Sequence, residues 1–464
     1  MSSKKRGGSR QPELFPRSKC PTIPIADNHR LVVMADEIDW TEFEELIQSI
    51  RMSKLKNAAG RPPQLRALGG ALALRATRKM TYRDTEDQIR YHAPSRYLCG
   101  LTETQSWSPD ANTIQDFEQL MGEDGVRQIN EYLVKWAVDE KLADPSLMVA
   151  DTTAQEAAIP YPNEVGHMAA FLNAVVAASS KTGRALVGFV NGLGDRVKAA
   201  KQKVRAHRLF AETVNAKKKL TKELAAIVEG INTELGQGLE AARAQGERLK
   251  KHGKVAWNKL NALHGTMSKL LPQIRYWLRT GKVATGKIIN IHIPELYSIV
   301  RGKAGKAVEF GLKWGFARLR GGFILATLAR GKGDMPDSHF ALQAIDQHIA
   351  LFGMPPRSYA YDRGGYSQDN IKKLKEKGVK EVGLAPRGKA KWAVGNKVKE
   401  KLVNERAQVE GSIGTVKSGR YGFNRPPARS AEMMGVCGQR SVLGLNLNKM
   451  IRGLAARRDV VLVG

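Results

Sequence analysis

The stretch ERAQVEGSIGTVK, Glu405 to Lys417, carries Arg406, then Glu410 four residues on, then Lys417 seven further. On a helix, steps of four and seven return to nearly the same face. One stripe therefore presents a cation, a carboxylate and a second cation. The carboxylate is a hard oxygen donor that could share a divalent metal with acids from elsewhere, while its neighbours suit phosphate. Two further acids end short apolar runs: Asp151 in LMVADTTAQEA and Asp362 in SYAYDRGGYS. A strand delivers a ligand to the edge of a sheet in this way. Glu405 and Glu400 are rivals for the third acid, but neither lies between cations at helical spacing. Spacing alone leaves Asp151 open to a plainer reading as a cap or turn residue, since motif matches carry a high false-positive risk.

These segments resemble, in order, the DDE transposases of bacterial insertion sequences, whose catalytic core is RNase H-like. The resemblance is carried by DTTAQEAAIPYP, RGKAGKAVEFGLK, YDRGGYS and the R-x3-E-x6-K pattern of Arg406, Glu410 and Lys417. It extends upstream to GRPPQLRALGGALAL and to RYLCGL followed seven residues later by PDANTIQDF, and covers the chain from about Asn28 to the mid-450s. Many relatives place a Tyr three residues before the Arg of that pattern, where this chain has Val403. The resemblance implies that Asp151, Asp362 and Glu410 are the catalytic acids. They would hold two Mg²⁺ ions, with Mn²⁺ able to substitute, to activate the attacking oxygen and stabilise the leaving one. Arg406 and Lys417 would grip phosphates near the scissile bond. Arg387 and Lys389, beside Trp392, and Arg420, beside Tyr421, are further candidates for DNA contact.

Composition agrees with a polyanionic partner. The chain has 464 residues, with 75 Lys and Arg against 45 Asp and Glu, a formal net charge of +30. Neutralising phosphates with such an excess releases counterions and raises affinity and association rate. Cys20, Cys99 and Cys437 are far apart, which argues against a zinc site or a disulfide scaffold. The basic start has no apolar core behind it, and no run approaches a membrane span. The expectation is a cytoplasmic, nucleoid-associated protein with no membrane partner.

The elements that must position the acids follow from periodicity. Residues 1–27 read as a disordered basic tail and residues 28–145 as an all-helical DNA-binding or dimerisation domain. Its helices are marked by apolar steps from Ile38, a capping box at Thr81 and Asp84, and a start at Pro109-Asp110. Residues 146–464 read as an α/β core, which the resemblance implies is a catalytic one of RNase H-like type, a mixed sheet flanked by helices. A basic helical insertion at residues 165–290 interrupts it. Leu220, Leu224, Ile227, Ile231, Leu235 and Leu239, then Leu260, Leu263, Met267 and Leu270, predict an antiparallel helical hairpin there. Its Lys and Arg residues suit either a solvated face or a phosphate-tracking surface. GKVATGKI, Gly281 to Ile288, lacks the hydroxyl that a phosphate-binding loop needs after its Lys and reads as a turn.

Further on, Val308 to Phe316 and Phe323 to Ala329 predict a hairpin, and Tyr359 to Tyr361 a strand ending at Asp362. A helix from Gln368, a strand at Val382 to Ala385, the helix with Glu410 and a final helix from Ser430 to Ala456 packed on the sheet complete the order. The resemblance implies cleavage and strand transfer at the terminal inverted repeats of an insertion sequence. The partners would be double-stranded repeat and target DNA, with the protein acting as a homodimer or larger synaptic complex. Two alternatives stand beside this: a non-catalytic DNA-binding derivative of a transposase, and a basic structural RNA-binding protein.

Overall fold

The computed structural model describes residues 25–55, 63–102, 105–182, 186–244, 251–303, 306–331, 335–386, 388, 390–457 and 461–463. The described chain divides into two units. One holds the residues up to Ala143 and those from Arg440 onward; the other runs from Asp144 to Gln439.

In the first unit the predicted helical periodicity is realised as α1 (Arg30–Glu37), α2 (Trp40–Lys54), α3 (Leu65–Thr77), α4 (Tyr82–Tyr91), α5 (Ala93–Leu98) and α6 (Ala111–Asp139). Thr81 and Asp84 form the expected capping box, and Asp110 caps α6 by accepting from Thr113 N. α6 is two helical segments joined at a kink at Gly122, whose φ of 61° costs a glycine little. The interior of this unit holds charge. The fully buried Glu118 accepts from Arg75 Nε at 2.6 Å, Arg440 Nη1 at 2.8 Å and the Tyr82 hydroxyl at 3.0 Å. Burial pushes the Glu118 carboxyl up, but Arg440 and Arg75 outweigh it and hold it below its ordinary value. Removing one partner of such a network would leave a dry, uncompensated charge.

The second unit opens with β1 (Asp144–Glu156) and continues into the insertion: α7 (Glu164–Ser179), α8 (Val187–Asn191), α9 (Leu193–Leu209), α10 (Val214–Ala244) and α11 (Lys251–Thr280). The predicted seam is buried: Leu224, Ile231, Leu235 and Leu239 pack with Leu260, Leu263, Met267 and Leu270. The pairing is antiparallel, with Arg243 meeting Asn261 and Glu229 meeting Arg275. Phe171 and Leu172 of α7 and Val197 and Val204 of α9 join the same core, so the insertion is a bundle rather than a bare hairpin. GKVATGKI is a turn with positive φ at Gly281 and Gly286, and Lys287 pairs with Glu164 at 2.6 Å.

The sheet follows with β2 (Tyr297–Lys303), β3 (Lys306–Arg320), β4 (Ile324–Leu328), α12 (Asp337–Phe352), β5 (Ser358–Tyr361), α13 (Gln368–Glu376), β6 (Glu381–Leu384), α14 (Asn396–Lys417) and α15 (Ala431–Arg457). The strand order is β2-β3-β1-β5-β6, with β4 also paired to β3. β1 is antiparallel to β3 and parallel to β5, and β5 is parallel to β6, so the sheet is mixed. The expected hairpin turns at Gly321 and Gly322, with φ of 94° and 91°. β2 was not expected; its Val300 is exposed and its alternation is correspondingly weak.

Helices cover both faces of the sheet. Leu402 and Val409 of α14 pack on Leu147, Val149 and Ala360. On the other face Phe340 of α12 sits against Gly315, where even a methyl would lie 2.1 Å from its ring. The final helix was expected to pack on the sheet throughout. Only its start does so: Gln439 donates to Ala326 O at 3.0 Å, and Gly438 abuts the Trp314 ring. From Arg440 its polar groups find buried partners in the first unit, Glu118 and Asn130. Cys99 and Cys437 are buried and form no disulfide among the described residues; Cys20 lies outside the described residues.

Candidate active site

The site is set by how far β1 is paired on each side. β5 pairs with it only at Leu147, Met148 and Val149, opposite Ser358, Tyr359 and Ala360. β3 pairs with it as far as Glu156. The expected strand from Leu147 to Ala150 is therefore part of a longer one, and Asp151 lies within it, opposite Phe316. Asp151 nevertheless stands just beyond the last pair with β5. Asp362, two residues past Ala360, stands at the matching level just beyond the end of β5. The parallel register thus brings Asp151 and Asp362 to adjoining strands at the same end of the sheet.

Both aspartates are half-buried. Asp151 Oδ1 accepts from Thr152 N, and Asp362 Oδ1 accepts from Gly364 N, each at 2.7 Å. The second bond caps the short 3₁₀ turn Arg363–Gly365 and fixes the Asp362 rotamer. Beneath them, burial raises the Tyr359 and Tyr361 hydroxyls well above their ordinary pKa. The carboxylates of Asp362 and Asp151 add to the shift at Tyr359; Tyr359, Asp337, Asp151 and Asp362 add to it at Tyr361. Neither hydroxyl has a hydrogen-bond partner among the described residues.

A fourth acid is present that the sequence reading did not single out. Asp337, in the first turn of α12, accepts from Thr152 Oγ1 and from Lys313 Nζ, each at 2.8 Å. A methyl built on Gly364 would lie 2.6 Å from Asp337 Oδ2 and 2.9 Å from Asp362 Oδ1, so both carboxylates crowd that glycine. Asp337 follows Pro336 at a helix start, and that local signal explains it fully as a first-turn acid.

The stripe on α14 is realised in part. Arg406 lines an open cavity of about 500 Å³ with Asp362, Arg363, Ala385, Pro386, Gly388 and Trp392. Glu410 is exposed and pairs with Arg406 one turn back, Nη2 to Oε1, at 3.7 Å. Lys417 is turned to Glu309 of β3 at 3.8 Å. Arg420 is exposed, with its guanidinium 5.6 Å from the Tyr421 ring centre. Arg387 and Lys389 lie outside the described residues. Of the rivals to Glu410, Glu405 is committed to Arg318 at 2.9 Å, and Glu400 is exposed.

The donor chemistry suits a hard divalent cation: two carboxylates just beyond the last paired residues of β1 and β5, with orphan buried hydroxyls within electrostatic reach. The set is not closed in this conformation. Among the described residues, no three His, Cys, Asp or Glu side chains are grouped closely enough to hold a metal ion.

Comparison with known proteins bears on the first unit. Residues 22–120 match the family model described as Transposase domain (DUF772), which supports a transposase family for this chain. No curated protein and no solved structure matches it. Among the described residues, no helix is long and apolar enough to cross a membrane.

Proposed function

We propose that this protein is a DDE transposase with an RNase H-like catalytic core, cutting and joining DNA at the terminal inverted repeats of an insertion sequence. The observation that supports the reading is the parallel pairing of β1 with β5, whose last pair, Val149 with Ala360, lies two residues before each of Asp151 and Asp362. The sheet supports it too, with β1 central, an antiparallel hairpin on one side and parallel β5 and β6 on the other.

In this reading Asp151 and Asp362 would hold divalent magnesium, and Glu410 would complete the ligand set from α14. Bound there, the metal supplies positive charge to the attacking and leaving oxygens of an in-line displacement. Glu410 must give up Arg406 to join. Arg406 is then left to face a phosphate in the cavity it shares with Asp362, where its planar fork suits two phosphate oxygens. Water as the nucleophile gives nicking, and a DNA 3′-hydroxyl gives strand transfer. Asp337 positions the site, joining Thr152 beside Asp151 to the glycine turn beside Asp362. A homodimer or larger synaptic assembly would bring two DNA ends together.

Magnesium-dependent nicking of terminal-repeat DNA tests the proposal. The native protein should nick, and Asp151→Asn and Asp362→Asn should each abolish nicking. Unimpaired nicking by either variant would remove the assignment. The pairing of exposed Glu410 with Arg406 favours a second reading, a DNA-binding derivative without chemistry. Binding of repeat DNA with no nicking in magnesium or manganese would establish that one.

A further inference from the structure

Residues 165–290 hold 23 Lys and Arg against 7 Asp and Glu, more than half of the chain's net charge of +30. Part of that excess is neutralised locally: Arg196 pairs with Glu234, Lys203 with Glu223, and Arg275 with Glu229. One set of cations is not. On α9, Lys198, Lys201, Arg205 and Arg208 are all exposed, and among the described residues none has an ion-pair partner. Their spacing of three, four and three puts them on one flank of the helix. That flank lies beside the buried seam of Leu193, Val197, Ala200 and Val204. Lys203, which reaches α10, is on the other flank. Where α9 meets α10, Leu209, Phe210 and Val214 are 64%, 70% and 70% exposed. Lys217, Lys219 and Lys222 add exposed charge to the first turns of α10.

We propose that this flank and tip form a second DNA-binding surface, for duplex backbone, that involves none of the acids. From Lys198 to Arg208 the helix rises about 15 Å. Over that axial length one strand of a duplex presents about four phosphates. Four unneutralised cations on one flank match that run. The apolar tip lies at the end of the stripe, where it would meet sugars or the edge of a base step. The choice of DNA rests on the transposase reading; the cationic, unpaired character of the flank does not. An anionic membrane is the competing partner for a basic helix with an apolar tip.

The test uses the full-length protein and a fluorescent duplex of arbitrary sequence, in EDTA, with anisotropy followed across a salt series. The variant carries Lys198→Gln, Lys201→Gln, Arg205→Gln and Arg208→Gln. Each phosphate contact contributes about 0.9 to the slope of log affinity against log salt, so the slope should shallow by about 3 to 4. Phe210→Ser should weaken binding without changing the slope, because an apolar contact releases no counterions. A control with the same charge removed from and just beyond α13, Lys372→Gln, Lys373→Gln, Lys375→Gln and Lys380→Gln, should leave the slope nearly unchanged. An unchanged slope in the α9 variant, or an equal change in the control, overturns the proposal. So does loss of binding to phosphatidylserine vesicles with duplex binding intact. Because binding is read without divalent metal, failure of the catalytic reading would leave this result standing, and the reverse also holds.

Discussion

Thr152 donates its hydroxyl to Asp337 across 2.8 Å, tying the strand that bears Asp151 to the helix that abuts the Asp362 turn. Lys313 of β3 donates to the same carboxylate oxygen. Side chains that orient ligands in this way are commonly worth ten- to a hundredfold in metal affinity or activity. Asp337→Ala should therefore slow nicking by about 10–100-fold, with the magnesium concentration for half-maximal rate shifted upward. Thr152→Val should act in the same direction and less strongly. Native nicking kinetics in Asp337→Ala, with an unchanged magnesium response, would remove the positioning role.

Glu405 and Glu410 are neighbours on α14 with separable consequences. Glu405 meets Arg318, whose side chain is only 7% exposed, whereas the Glu410 side chain is 65% exposed. Hydrogen bonds to charged groups are worth about 1.5–3 kcal/mol, so Glu405→Gln should lower unfolding free energy by roughly that order and spare nicking. Glu410→Gln should do the reverse. It should keep stability within about 0.5 kcal/mol and cut nicking by about 10²–10³-fold, as expected when metal-borne charge stabilisation is lost. Paired urea titrations and single-turnover nicking of both variants read the contrast. Full nicking by Glu410→Gln would exclude it as the third acid.

Gly364 is a steric sensor for two carboxylates. A methyl there intrudes on Asp337 Oδ2 and Asp362 Oδ1 without meeting an apolar core. Gly364→Ala should displace Asp362 and lower nicking by more than tenfold, while DNA binding measured in EDTA stays native. Equal loss of binding and nicking would show that the turn serves DNA contact instead.

His167 gives the insertion a pH limb. Burial, with Lys287 adding to it, pulls its imidazole down to about 4. The unfolded chain takes up that proton near the ordinary value of about 6.5. Unfolded molecules therefore bind more protons between these values, and stability rises with pH there. The contribution is complete above about 6.5 and falls as pH drops towards 4, a change on the order of 3 kcal/mol. Urea unfolding of the native protein should weaken over that window. His167→Asn should flatten the response, and an unchanged limb in that variant would place its origin elsewhere.

What the residues disclosed, and what they hid, divides along local and long-range physics. That Asp151 and Asp362 follow two neighbouring strand segments was legible because an apolar run before an acid is a contiguous pattern, and parallel pairing preserves it. The insertion seam was visible for the same reason, since helical periodicity is local. Lys417 was placed on the phosphate-facing stripe by spacing alone, but Glu309, its partner, belongs to a distant strand and leaves no mark near it. Asp337 was hidden because a first-turn acid after Pro336 already has a sufficient local reason. The length of β1 was hidden because its extension past Asp151 depends on β3. The last helix was assigned wholly to the sheet because its apolar content says that it is buried, not by what. Its Arg440 and Asn446 carry that information, through Glu118 and Asn130.

Only three residue pairs keep β1 and β5 in step. Side chains alternate along a strand, so losing a single residue from Ser358–Ala360 would rotate Asp362 to the opposite side of the sheet, away from Asp151. The bundle between β1 and β2 carries no such constraint and could lengthen or shrink by whole turns without disturbing that alignment. Insertions and deletions should therefore be freely inherited within that bundle and purged from the handful of positions just ahead of each aspartate.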